Sequence, residues 1–360
     1  MRAAVFHEVG KEEVTVYEDL RVADPGPGEV KVRIHAAGVC HSDLSAMNGT
    51  LPHPVPAVLG HEGAGEVVEL GAGVDTVQVG DHVIVAWTPP CGSCRACRRG
   101  ESNLCTRIFY TIAGATRFST ADGVPVFGFA GTGTMAEELV LPWQAVVTIP
   151  DDVPYEIGAL IGCGVTTGVG AALNTAKVTP GSSVAVFGAG GVGISAIQGA
   201  RICGAADIVA VDVVDSKLKD AQRFGATLGV HPEEFDALNM ELNDGEGFDY
   251  AFECVGLPAT IRAAYDAVRR GGTAVVVGAG KADATVEFNA FELFFMEKKL
   301  VGSYYGSANV HTEFDRLIRL WRTGRLELEG MISRRLDITQ AQDAFDELKR
   351  GEVIRQVITF

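Results

Sequence analysis

Ser183-Val184-Ala185-Val186-Phe187-Gly188-Ala189-Gly190-Gly191-Val192-Gly193 decides how the middle of this chain folds. Its first five residues are mostly apolar without alternation, as a strand buried on both faces requires. A glycine cluster follows, and apolar residues then continue as a helix through Ala200. Strand, tight turn and helix in that order begin a βαβ unit. The Gly-x-Gly-x-x-Gly spacing has a physical purpose. Gly188 permits the turn, Gly190 lets a pyrophosphate approach the backbone, and Gly193 lets helix and sheet close together. Gly191 and Val192 open the helix, whose free amides and positive dipole end face the phosphates. Asp212 ends the next strand, Ile208-Val209-Ala210-Val211. A carboxylate there accepts both ribose hydroxyls and repels a 2′-phosphate, so the expected cofactor is NAD rather than NADP. Lys217 is a candidate for the flank of the adenosine ribose.

Alternation of strand and helix continues outward, with a helix over 216–224 and strands over 250–252 and 273–277. That pattern builds a parallel, doubly wound sheet. Residues 1–150 read differently. Strands over 30–35, 65–70 and 82–86 follow one another without helices, which suggests a mostly antiparallel, barrel-like domain. Helices over 314–322 and 341–350 precede a closing strand, Val357-Ile358-Thr359-Phe360, expected to rejoin the first domain. The expected fold class is α/β: a catalytic domain over 1–164, a nucleotide-binding domain over 165–305, and a return to the catalytic domain over 306–360.

Bulk properties narrow the function. A chain of 360 residues exceeds one ordinary core, and 47% apolar residues rule out wholesale disorder. The net charge of -16 argues against nucleic acid or an anionic membrane as partner. The apolar run over 184–200 approaches membrane-spanning length, but its glycines and Gln198 fit strand, turn and helix instead. Charge arrives too early at the N-terminus for a signal peptide. Eight cysteines in such a chain favour metal or redox chemistry in a reducing cytosol, so the expected location is cytoplasmic.

Cys91, Cys94, Cys97 and Cys105 share one short loop, with spacing that can wrap four thiolates around a zinc ion. Arg95, Arg98, Arg99 and Arg107 lie beside them and either offset the thiolate charge or form a solvated basic loop. A second set is dispersed: Cys40, His61 and Cys163, each next to or near glycine. Two cysteines and one histidine match a catalytic zinc site with its fourth position open. Their spacing does not fix that geometry, and each cysteine alone reads equally well as core.

Further motifs make the reading specific. Gly60-His61-Glu62, Gly65, Gly71 and Val74 keep the register G-H-E-x-x-G-x-x-x-x-x-G-x-x-V. Gly162-Cys163-Gly164-Val165-Thr166-Thr167-Gly168 and Gly351-Glu352-Val353-Ile354-Arg355 accompany the cysteine loop and the glycine fingerprint. From end to end the chain resembles the zinc-dependent medium-chain alcohol dehydrogenases, nearest the class I alcohol and class III formaldehyde branch. The resemblance implies a GroES-like barrel joined to a Rossmann domain. It implies two zinc ions per subunit: a catalytic one on Cys40, His61 and Cys163, and a structural one on Cys91, Cys94, Cys97 and Cys105. Asp43 would orient His61, Glu62 would stand near the catalytic ion, and Ser42 would pass the alcohol proton toward solvent. His41 and Arg355 would touch the pyrophosphate.

Trp87 and Phe129 match positions that line the family's pocket, so the resemblance implies a hydrophobic primary or aryl alcohol, interconverted with its aldehyde or ketone by hydride transfer with NAD(H). A homodimer or homotetramer, paired through a strand near 300–305, is implied as well. One departure concerns Ser45, which stands where class I members often place a histidine. Serine is not a base near neutrality, so Ser42 is expected to hand its proton to water or a ribose hydroxyl. The alternative substrate is a formaldehyde–thiol adduct, which needs a cation for the thiol's carboxylate; Arg107 and Arg117 are the candidates. The same residues also allow an enzyme that keeps NADH permanently bound, or a non-catalytic binding protein on this scaffold.

Overall fold

Alternation at 30–35 marks the middle of a longer strand, Glu29–Val39, in which Val30, Val32 and Ile34 are buried. The computed structural model describes residues 1–107 and 114–360. Glu29–Val39 pairs antiparallel with Glu62–Leu70, with Glu138–Pro142, and with the closing strand Arg355–Thr359. This register sets Gly38 opposite Glu62. A side chain on Gly38 would collide with the Glu62 carboxylate, so glycine there makes room for it. The same sheet continues through His82–Val85 to Val146–Thr148 on one side and to Ile332–Asp337 on the other. A second sheet gathers Ala3–Phe6, Ala57–Val58 and Pro125–Gly128 with shorter strands. Val32, Val67, Val85, Leu139 and Phe345 fill the core of this unit. Each such side chain contributes roughly 1.5–3 kcal/mol by leaving water.

The chain separates into two units. Met1–Cys163, Asn309–Thr323 and Leu328–Phe360 form one; Gly164–Ala308 and Gly324–Glu327 form the other. In the second, parallel strands run in the order Leu228–Val230, Asp207–Val211, Ser183–Phe187, Phe248–Glu253, Val268–Val276 and Lys299–Gly302. Ser183–Phe187 lies inside the sheet with a partner on each edge, which is why its sequence lacks polar alternation. The helix Gly191–Cys203 follows it and stops at Gly204, whose φ of 86° is the left-handed cap that glycine accepts most cheaply. So the apolar run over 184–200 is a strand, a turn and a helix. Among the described residues one helical run, Tyr155–Ala176, is long and apolar enough to cross a membrane, but 83% of its apolar window is buried inside the protein.

Candidate active site and metal centres

Cys91, Cys94, Cys97 and Cys105 come together with their sulfurs all within 4.8 Å of one another. Cys91 Sγ lies 4.0 Å from Cys97 Sγ, and Cys94 Sγ lies 3.8 Å from Cys105 Sγ. Sulfurs on a tetrahedron about 2.3 Å from a central zinc are roughly 3.8 Å apart, so the loop fits that ion. Backbone amides of Cys91, Cys94 and Cys97 donate to the sulfurs of Cys105, Cys91 and Cys94 at 3.3–3.4 Å. These thiols cannot all ionise without a cation. Burial opposes charge on Cys91, but the amides of Ser93 and Cys94 bring it down to about 6. Burial and then the Cys94 sulfur push Cys97 up to about 12.

The dispersed set is assembled by three separate elements. Cys40 precedes the helix His41–Met47, and Asp43 sits in that helix's first turn. His61 leads into the strand Glu62–Leu70, and Cys163 lies on the run Tyr155–Ala176. Ligating atoms of Cys40, His61 and Glu62 lie within 4.8 Å of one another, all buried. The Cys163 sulfur is within hydrogen-bonding reach of Cys40 and is the largest influence on it. It holds the Cys40 thiol well below its usual range against the cost of burial, with help from His61 and Arg355. Burial disfavours a charged His61, yet Asp43 and the Cys40 sulfur outweigh it and raise the imidazole to about 10. Nδ1 of His61 is 3.3 Å from Asp43 Oδ2, and both ring nitrogens are buried without a hydrogen bond of good geometry. Two sulfurs and a stranded imidazole nitrogen, in a field that demands positive charge, fit a zinc ion.

One peptide ties this set to the wall beside it. The Gly60 amide donates to Asp43 Oδ1 at 2.7 Å. The Gly60 carbonyl accepts from Thr132 Oγ1 at 3.1 Å and from the amides of Gly133 and Thr134 at 3.1 and 3.0 Å. Gly60 has φ +92°, and a Cβ there would lie 2.6 Å from the Met135 amide nitrogen, so no other residue fits. The turn bonded to it presents Phe129, whose ring meets His61 edge-on at 5.3 Å. Trp87 meets His61 at 6.1 Å and 90°. Both aromatic residues expected at the pocket therefore stand against the His61 imidazole.

In the nucleotide unit, Gly188 has φ +91° and a Cβ on Gly193 would fall on the Gly188 carbonyl. A Cβ on Gly190 would meet nothing within 4 Å, which leaves open space above the backbone where a pyrophosphate fits. Gly191 and Val192 begin the helix as the fingerprint requires. Asp212 accepts from the amides of Ala189 and Val214 at 2.8 and 3.0 Å, which locks it onto the glycine turn. Lys217 is half-buried in the helix Asp215–Arg223.

Other expected residues fall as follows. His41 is exposed, and Ser42 Oγ lies 3.8 Å from Cys40 Sγ. Ser45 is half-buried on the same helix. Arg355, expected against the pyrophosphate, is buried here in an ion pair with Glu62. Arg117 gives its guanidinium to Glu29 at 2.7 Å, and Arg107 donates to Ser93 Oγ beside the cysteine cluster. Sequence reasoning missed Thr132, His53 and Glu253. Glu253 is buried at the end of Phe248–Glu253, where one oxygen accepts from the amides of Val255 and Gly256 and from Thr260 Oγ1. Its position one residue before Cys254, at the end of an apolar strand, was the available signal.

Comparison with known proteins accords with this geometry. Residues 26–151 match the alcohol dehydrogenase GroES-like domain, and residues 191–322 match the zinc-binding dehydrogenase domain. An alcohol dehydrogenase class-3 from Cereibacter sphaeroides is 39% identical, over 100% of this chain and 99% of the relative. An S-(hydroxymethyl)glutathione dehydrogenase from Paracoccus denitrificans is 37% identical over the same shares. The crystal structure of benzyl alcohol dehydrogenase from Acinetobacter calcoaceticus superposes with a TM-score of 0.91 at 32% identity, covering 100% of this chain and 99% of that one. Matched along its whole length, with its four-cysteine loop drawn together and Cys40 beside His61 and Cys163, the chain belongs to the zinc-dependent medium-chain alcohol dehydrogenase family and is an NAD-dependent zinc oxidoreductase.

Proposed function

We propose that this enzyme interconverts primary alcohols bearing an apolar, preferably aromatic, substituent with their aldehydes. Cys40, His61 and Cys163 hold the catalytic zinc in this reading, and Cys91, Cys94, Cys97 and Cys105 hold the structural one. The observation that carries it is the aromatic enclosure of His61 by Phe129 and Trp87. When bound, zinc supplies Lewis acidity worth at most about 12 kcal/mol toward the alcohol's anion, and NAD accepts the hydride. The protein's own residues do the rest. Asp43 keeps a proton on the Nδ1 side of His61, leaving Nε2 free to ligate. Ser42, beside Cys40, takes the alcohol proton and passes it to water or a ribose hydroxyl, since Ser45 offers no base. Arg355 balances the Glu62 carboxylate, which restrains Glu62 from claiming the metal's open position. Asp212 and the glycine turn receive NAD.

A second reading, oxidation of a formaldehyde–thiol adduct, draws support from the names of the class-3 and S-(hydroxymethyl)glutathione relatives. Against it, both arginines considered for the thiol's carboxylate have other partners, Arg117 on Glu29 and Arg107 on Ser93. Steady-state assays separate the two. The aryl reading expects NADH formation from benzyl alcohol with kcat/KM at least about tenfold above that for S-(hydroxymethyl)glutathione, and the reverse order rejects it.

A homo-oligomer is part of the same proposal. Lys299–Gly302 is an edge strand with Leu300 exposed, and Phe291 and Phe294 stand exposed on the neighbouring helix Ala290–Met296. An apolar edge of this kind invites pairing with a second copy; sedimentation as a monomer would remove that element. Eight cysteines without a disulfide suit a cytoplasmic setting.

A further inference from the structure

We propose that His53 is a specificity-determining residue: it fixes the width of the substrate pocket by holding the Phe129 ring against His61. The inference rests on the aryl-alcohol reading, in which Phe129 is a pocket wall. Phe129 is buried and meets two imidazoles edge-on. One is His61, at 5.3 Å and 85°; the other is His53, at 5.3 Å and 66°. Behind His53 stands Phe6, with ring centroids 6.4 Å apart. Four rings thus run in series from the core strand Ala3–Phe6 to the ligating histidine.

The backbone of Phe129 has little freedom, because the turn that follows is bonded to the Gly60 carbonyl by three donors. The remaining freedom is tilt of the ring, which the edge-on contact with His53 restrains. His53 is itself held. Its Nδ1 lies 2.9 Å from the Pro54 carbonyl, and the Gly128 carbonyl is also within its reach. Pro52 and Pro54 flank it in the chain and stiffen the loop.

His53 Nε2 is buried without a well-aligned hydrogen bond, so the ring rather than its polar atoms is what the position supplies. What the position supplies to the reaction is ring volume behind Phe129. Reducing that volume to a methyl group leaves a gap into which Phe129 can lean, and the pocket widens on the substrate side.

The test compares wild type, His53→Ala and His53→Phe on benzyl alcohol and 2-naphthylmethanol, with zinc content and thermal melting measured alongside. His53→Ala is expected to raise the naphthyl-to-benzyl ratio of kcat/KM about tenfold, chiefly through KM, the scale on which pocket volume discriminates substrates. His53→Phe is expected to return the ratio to the wild-type value, because it restores the volume. A ratio unmoved in His53→Ala, or moved equally in His53→Phe, overturns the proposal. So does a loss of zinc accompanied by a fall in kcat on both alcohols, which would make His53 a support of the metal site. Should the wild type oxidise no aromatic alcohol, the aryl reading falls by itself. The same three proteins then decide the role of His53 on butan-1-ol and 2,2-dimethylpropan-1-ol, where width control expects His53→Ala to favour the branched substrate and an unchanged ratio rejects it.

Discussion

The two cysteine centres are built in opposite ways. Cys91, Cys94, Cys97 and Cys105 come from one loop, their sulfurs accept from neighbouring backbone amides, and two of the four residues are partly exposed. Cys40, His61 and Cys163 come from a helix cap, a strand entrance and a helical run, and all are buried. Charged neighbours surround this second set: Asp43 faces His61, and Arg355 pairs with Glu62. A local centre can close as soon as its loop meets the ion, and its four sulfurs leave no position for a substrate. The dispersed centre exists only once the sheets are in place, and on the proposed assignment its three ligands leave a position for chemistry. On that assignment, locality of the ligands separates a metal that helps folding from one that reacts.

Three substitutions press on that distinction. On the proposed assignment His61→Ala removes a ligand from the reactive centre, and kcat/KM for the best alcohol should fall by at least about a thousandfold, with zinc dropping from two ions per chain to one. A variant that kept a tenth of its activity would place the reactive ion elsewhere. Asp43→Asn leaves the ligands but removes the negative charge that orients His61. Zinc affinity of that centre, read by chelator competition, should weaken about 10–100-fold, with kcat/KM falling in parallel. If affinity held while activity fell, Asp43 would have a role apart from the imidazole. Cys97→Ser acts on the local centre alone. Melting should drop by about 5 °C or more, because a structural zinc contributes directly to folding, while kcat of the folded fraction stays within about twofold. A kcat loss as large as that of His61→Ala would erase the contrast between the centres.

Legibility in the sequence followed the same line. The cysteine loop and the run from Ser183 to Gly193 are contiguous, and their chemistry is set by spacing, so residues alone fixed both. The period-two alternation of Val30, Val32 and Ile34 likewise marked the strand that organises the first unit. Cys40, His61 and Cys163 could be joined only through resemblance, since nothing local reports that three distant segments converge. The Glu62–Arg355 pair escaped because it joins the strands on either side of Glu29–Val39, one of them at the end of the chain. Thr132 and His53 escaped for another reason. A threonine in a glycine-rich turn and a histidine between prolines have many possible roles, and only the packing around Gly60 and Phe129 selects one.

The double duty of the Gly60 peptide has a consequence for how such an enzyme can diversify. Its nitrogen bonds Asp43, which faces His61, and its oxygen anchors the turn that carries Phe129. Insertions or deletions in that turn would be felt at His61, so on the proposed assignment loop remodelling is a costly route to new substrates. Exchange of side chains at Phe129 and its neighbours leaves the amide plane untouched. Variation among natural or engineered forms should therefore accumulate in the rings, with the length of the segment from Gly128 to Thr134 held constant.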